Sequence, residues 1–196
     1  TSVSVGAEWL RLMNKKGHVL NGVLLAIGLG YVLKPAGDVA TFRTIAMTLV
    51  PVTLGALFPD VDTAFGTHRK TFHNLLTLAV FALYPIYFGN LHYVWIGVLS
   101  HYVLDVVGSK RGIALFYPWP EEFGLPAGVS TSSKYADAVT VLVTALEIGV
   151  VAVFVHVVPG VVRTAVETLP LAPGVGNESV TAVFGWLVAV PAGLPV

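Results

Sequence analysis

From Tyr135 to Val158 the chain carries apolar side chains almost without interruption, with Asp137 and Glu147 its only acidic groups and no lysine or arginine. That stretch covers the roughly 17–25 residues a transmembrane helix needs. In a bilayer such a backbone must satisfy its own polar groups, so it folds as a helix. Further apolar stretches run from Val19 to Leu33, Thr44 to Phe58, Thr71 to Phe88 and Leu91 to Val107, with a weaker one from Ser179 to the C-terminus. Only 11% of residues are charged, against about a quarter in soluble domains. The expected fold is therefore an all-α integral membrane protein, a single bundle of about five to six transmembrane helices.

Residues 1–17 form a separate interfacial segment on this reading. In "AEWLRLMNKKGH" Trp9, Leu12 and Met13 recur at helical spacing while Glu8, Arg11 and Lys15 take the other face, the pattern of a short helix lying in the membrane surface. Gly17 is expected to end it. Residues 18–120 then make up a polar core of the single domain 1–196, and residues 121–196 its C-terminal spans.

Net charge is zero at pH 7, and no basic tail or basic-aromatic interleaving is present, so nucleic acid is excluded as a partner. With no cysteine, thiolate chemistry and Cys-bound zinc are excluded too. The basic residues set orientation. With the N-terminus in the cytoplasm, that side holds Arg11, Lys15, Lys16, Arg69, Lys70, Lys110, Arg111 and Lys134, and the other holds Lys34, Arg43 and Arg163. The positive-inside rule thus predicts a multi-pass protein of the cell (plasma) membrane with its N-terminus cytoplasmic.

The same topology gathers the unusual polar residues at one face. His18 opens span one, Asp60 and Asp62 close span two, His68 lies in the loop, His73 falls in the first turn of span three, and His101 and Asp105 in the last turns of span four. At 1.5 Å per residue His101 lies roughly 10 Å inside its helix end, with Asp105 about 6 Å further along the same face. Ionisable groups at membrane depth are expensive and point to function. Imidazole with carboxylate oxygen and no sulfur is a ligand set for a divalent metal, Zn first, with Mn or Fe as alternatives.

Each fragment alone has a plainer use. His-x-x-x-Asp locks helices by a hydrogen bond, "PDVD" ends a helix in a turn, and "HRKTFH" makes a basic loop with Thr71 capping the next span. Convergence on one face favours a metal site of His18, Asp60, His73, His101 and Asp105, with His68 and Asp62 as supporting groups. Asp60 or Asp62 is the candidate base for activating water, and the sequence does not separate them. Arg69 with Lys70, and Lys110 with Arg111, flank the site as candidates for gripping an anionic substrate.

The order of these elements resembles a family, the membrane-bound metal-dependent hydrolases of the YdjM type. The matching pieces are "GHVLNG", "LFPDVD", "HRKTFH", "LSHYVLD" and "GIALFYPWP", covering residues 17 to about 120. Phe58, Asn74 and Thr63 depart from the family's usual Leu, Ser and His. The His and Asp order also resembles part of the ligand set of zinc-dependent phospholipase C and the P1-type nucleases. That likeness implies one or two ions with Asp105 as the bridge, since the later ligands of those enzymes are missing. The resemblance implies hydrolysis of a phosphoester or lipid-like anionic substrate beside membrane lipid. Rival readings are a transporter or metal carrier, which Glu147 within its span keeps open, and a membrane scaffold holding a structural metal. Glu147 also reads as a carboxyl hydrogen-bonded to a neighbouring helix.

Overall fold

A computed structural model describes residues 2–108, 111–125, 128–130, 133–161 and 164. Among them the regular structure is helical, with one isolated antiparallel bridge between Ile113 and Phe123. The helices are α1 (Ser2–Leu33), α2 (Val39–Leu57), α3 (Asp62–Phe65), α4 (Leu75–Phe88), α5 (Val94–Val103) and α6 (Ala136–His156). A 3-10 turn at Pro59–Val61 joins α2 to α3, and a π-turn at Leu104–Gly108 extends α5.

Among the described residues, three helical stretches are long and apolar enough to cross a membrane: Lys15–Leu33, Val39–Ala64 and Ala136–Val161. They agree with the expected all-α membrane protein, and two more of the expected spans fall on shorter apolar helices. The 14 residues of α4 reach about 21 Å, short of a hydrocarbon core of about 30 Å. Val94–Gly108 is short in the same way. The expected span from Ser179 lies outside the described residues.

Two expected boundaries also move. Gly17 does not end a helix, because α1 runs through it without a break. A glycine inside a helix costs only about 1 kcal/mol against alanine, and here it lies where α1 meets Thr140 of α6. Span three starts at Leu75 rather than Thr71, since Asn74 is its cap and accepts from Thr77 N at 3.0 Å. Thr71 instead accepts from Thr67 N at 3.0 Å. His73 therefore stands before the helix, in irregular chain that lets its ring turn inward.

Helices α1, α2, α5 and α6 enclose the core, with Leu25, Ala26, Leu29, Val52 and Tyr93 buried together. The approach of α2 to α5 depends on two glycines. A Cβ on Gly55 would strike Val94 O, and one on Gly97 would strike Val52 O. Small residues let membrane helices meet backbone to backbone in this way. Helices α1 and α6 run parallel, tied by Lys16 to Asp137 at 2.8 Å near the start of α6 and by His156 Nε2 to Val32 O at 2.8 Å near the end of both. The loop after α5 folds back on the α3–α4 connection, where Ala114 N donates to Arg69 O and Leu75 N to Leu115 O.

Candidate metal centre

Five elements each deliver one buried group to the same point. His18 comes from α1, Asp60 from the 3-10 turn, His73 from the chain before α4, His101 from α5 and Asp105 from the π-turn. None is more than 4% exposed. His73 Nε2 lies 3.0 Å from His101 Nε2, 3.9 Å from Asp60 Oδ1 and 3.5 Å from Asp105 Oδ2. His101 Nε2 lies 3.8 Å from Asp60 Oδ1 and 3.6 Å from Asp105 Oδ2. Ligands about 2.0–2.1 Å from a tetrahedral zinc stand about 3.3 Å apart. The observed spread of 3.0–3.9 Å brackets that edge length. Asp60 Oδ1 is buried with no hydrogen-bond partner among the described residues.

The far sides of the two central imidazoles settle which nitrogen faces inward. His101 Nδ1 lies 2.6 Å from Ala56 O, an acceptor only, so Nδ1 carries the proton and donates it. His73 Nδ1 lies 2.9 Å from Asp62 Oδ2 and donates likewise. Both Nε2 atoms are thereby presented to the centre, an arrangement in which an outer acceptor fixes the tautomer of a metal-binding histidine. Asp62 thus separates from Asp60. Its Oδ2 holds His73, and its Oδ1 lies 3.0 Å from Nδ1 of the partly exposed His68.

His73 titrates high. Burial alone would lower its pKa, but hydrogen bonds with Asp105 and Asp62 outweigh that and raise it to about 8. In the metal-free protein a proton therefore occupies the place where chemistry favours a cation.

His18 lies flat on His101, ring centroids 3.7 Å apart, with Nε2 3.6 Å from Asp105 Oδ1. Two sets of ligating atoms result, His18 with His101 and Asp105, and Asp60 with His68 and His73. Both are composed of nitrogen and oxygen donors suited to zinc.

The expected anion-gripping residues are placed differently from one another. Arg69 is 5% exposed and turned inward, Nη2 3.3 Å from Asp105 Oδ1 and Nη1 donating to Arg111 O at 2.6 Å. Its φ of 66° is left-handed, and its carbonyl is held by Ala114, so the chain reverses there and the guanidinium passes behind Asp105. Lys70 faces Glu122 at 3.6 Å, Arg111 is exposed, and Lys110 lies outside the described residues.

A cavity of about 230 Å³ instead reaches the centre between α1, the π-turn and the start of α6. His18 and Asp105 line it together with Lys16, Lys134, Asp137 and Thr140. Sequence reasoning missed Lys16 and Lys134 as site residues. The only signal was that Lys16 precedes His18 by half a turn. It also missed Tyr102, whose hydroxyl donates to Phe72 O at 2.6 Å and accepts from Asn74 N at 3.2 Å, fixing the chain on both sides of His73.

Three further ionisable residues lie away from the centre. His92 sits by Gly89 O, and His156 by Val32 O at the far end of α1. Glu147 Oε2 accepts from Asn21 Nδ2 and Ser100 Oγ, both at 2.9 Å, bracing α6 to α1 and α5. Asn21 Nδ2 also donates to Thr144 Oγ1, and Ser100 Oγ contacts Asn21 Oδ1.

The model of the YdjM inner membrane protein family matches residues 13–175, more than half of the chain and all of the centre just described. The chain belongs to that family. Membrane localisation follows both from the family and from the apolar helices. No curated protein and no solved structure matches it.

Proposed function

We propose that this member of the YdjM family is a membrane-embedded metal-dependent hydrolase acting on a phosphoester, with the site on the cytoplasmic side. The convergence of His73 Nε2, His101 Nε2, Asp60 Oδ1 and Asp105 Oδ2 at the spacing of a metal's coordination shell carries the reading. Zinc is the favoured ion, one or two in number, and when bound it supplies a water of lowered pKa and polarises a phosphoryl oxygen. His73, His101, Asp60 and Asp105 would hold it, with His18 beside Asp105. Asp62 orients His73 and His68. Arg69 and His18 both approach Asp105 Oδ1, and the His18 ring stacks on His101. Lys16 and Lys134, which line the cavity, supply positive charge for an anionic substrate.

The cavity favours catalysis over a structural metal, because structural zinc sites are closed and catalytic ones keep an open approach. The bracing of Glu147 by Asn21 and Ser100 favours a packing role for that carboxyl over a transport path. The cytoplasmic assignment rests on the excess of lysine and arginine on the site's side.

Metal analysis of the purified protein, followed by hydrolysis of phosphomonoester, phosphodiester and phospholipid substrates with and without a chelator, tests the proposal. Stoichiometric zinc and chelator-sensitive turnover are expected. Stoichiometric metal without turnover of any of the three classes would leave a metal scaffold instead.

A further inference from the structure

A second cavity continues the first. A groove of about 310 Å³ runs between α5 and α6, walled by Leu99, Val103 and Val107 on one side and Val143, Leu146 and Val150 on the other. Thr140 of the polar cavity and Val143 of the groove lie within one turn of each other on α6, while Leu104 of the first and Val103 of the second are neighbours in sequence. The two cavities thus follow one seam, the polar one ending at His18 and Asp105 and the apolar one leading about 15 Å deeper along α6.

The seam exists because α6 rests on α1 and meets α5 only sparingly. Glu147 and Ser100 reach the groove wall, but Glu147 Oε2 and Ser100 Oγ turn to each other and to Asn21 and Glu147 Oε1 is buried, so the groove shows hydrocarbon. Its outer side is open, with Leu146 and Val150 exposed. Apolar cavities stay dry, and an apolar trough open to the bilayer takes up hydrocarbon. The polar cavity is lined by two lysines, Lys16, paired with Asp137 at 2.8 Å, and Lys134, with Asp105 at its inner end beside His18.

We propose that the substrate is an anionic lipid, its phosphorylated head held in the cavity at His18 and Asp105 and one hydrocarbon chain laid in the groove between α5 and α6. The proposal rests on the phosphoester reading of the metal centre and gives it a substrate class. The groove adds position more than affinity, because a lipid chain leaving the bilayer for a protein groove moves between two apolar surroundings. It fixes the depth of the head relative to the metal ligands.

The test is photolabelling of the full-length, zinc-loaded protein in phosphatidylcholine nanodiscs, with a phosphatidic acid carrying a diazirine midway along one acyl chain. Labels are expected on residues 99–107 and 143–150, and they should fall when unlabelled phosphatidic acid is added. Val103→Trp and Leu146→Trp, which fill the groove, should lose those labels, whereas Leu83→Trp on the exposed face of α4 should keep them. The wild-type label map stands without the variants should either fail to fold. Groove labelling in a protein that hydrolyses nothing would support the groove while removing the hydrolase reading. Labels spread over the lipid-facing sides of α4 and α6, with none between α5 and α6, would overturn the groove even in a protein that turns over phosphoesters.

Discussion

Asp62→Asn separates the group that binds a metal from the group that orients its ligand. Asp62 is fully buried and accepts from two imidazoles, His73 at 2.9 Å and His68 at 3.0 Å. Asparagine has nearly the same volume but offers one acceptor and one donor. If its NH₂ turns to His73, Nδ1 must become the acceptor, the proton moves to Nε2, and that nitrogen no longer binds a cation. If it turns to His68, His73 keeps its tautomer but loses a charged acceptor. Loss of such an outer partner costs 10–100-fold in metal affinity elsewhere, about 1.4–2.7 kcal/mol. Zinc affinity measured in detergent by competition with a chromophoric chelator should weaken by that range, with helix content by circular dichroism unchanged. Undiminished affinity would refute the orienting role. A loss as complete as in His101→Ala would make Asp62 a ligand.

Arg69→Ala should weaken zinc binding and lower thermal stability, because a buried ion pair broken on one side costs up to about 3–5 kcal/mol; an unchanged melting temperature and metal content, with only substrate use impaired, would return Arg69 to the role of a substrate clamp. His92→Ala and His156→Ala should keep full zinc, the second losing about 1 kcal/mol of stability with its bond to Val32 O, and metal loss in either would contradict the placement of the site. With the His73 pKa raised to about 8, zinc must displace its proton below that pH, so apparent affinity should fall by about tenfold per pH unit as pH drops from 8 and by no such step above it. In the metal-free protein the sign reverses: His73 contributes its stabilisation fully below about 6.5 and loses it as pH rises through about 8. Calorimetric titration in two buffers of different ionisation enthalpy checks the proton release, and a proton count of zero at pH 7 would refute it.

The residues of the centre were legible because hydrocarbon surroundings make charge expensive. In a chain so poor in ionisable groups, four His and three Asp at one end of the spans had few other uses. Their division of labour was not legible. Asp60 and Asp62 are two positions apart, and only a short 3-10 turn decides that one meets two Nε2 atoms and the other two Nδ1 atoms. Arg69 looked like an exposed clamp because nothing local announces a left-handed residue paired with a loop more than forty positions later. The start of α4 was misread at Thr71 because Thr71 and Asn74 are both good caps, and the demand that decides between them, freeing His73 from the helix, is tertiary. Span number was not legible for a physical reason as well: apolar composition reports burial in hydrocarbon or protein alike, and α4 and α5 are as apolar as the long helices but shorter.

Where α2 meets α5, Gly55 and Gly97 bring the two backbones together, and the residue beside Gly55 is Ala56, whose carbonyl receives the His101 proton. The spacing of α2 and α5 and the protonation of the His101 imidazole are therefore one mechanical variable. Lateral pressure, bilayer thickness or temperature that parts these helices by a fraction of an ångström reaches the Nε2 of His101, and with it any metal held as proposed, with no side chain between Gly55 and Gly97 to absorb the movement.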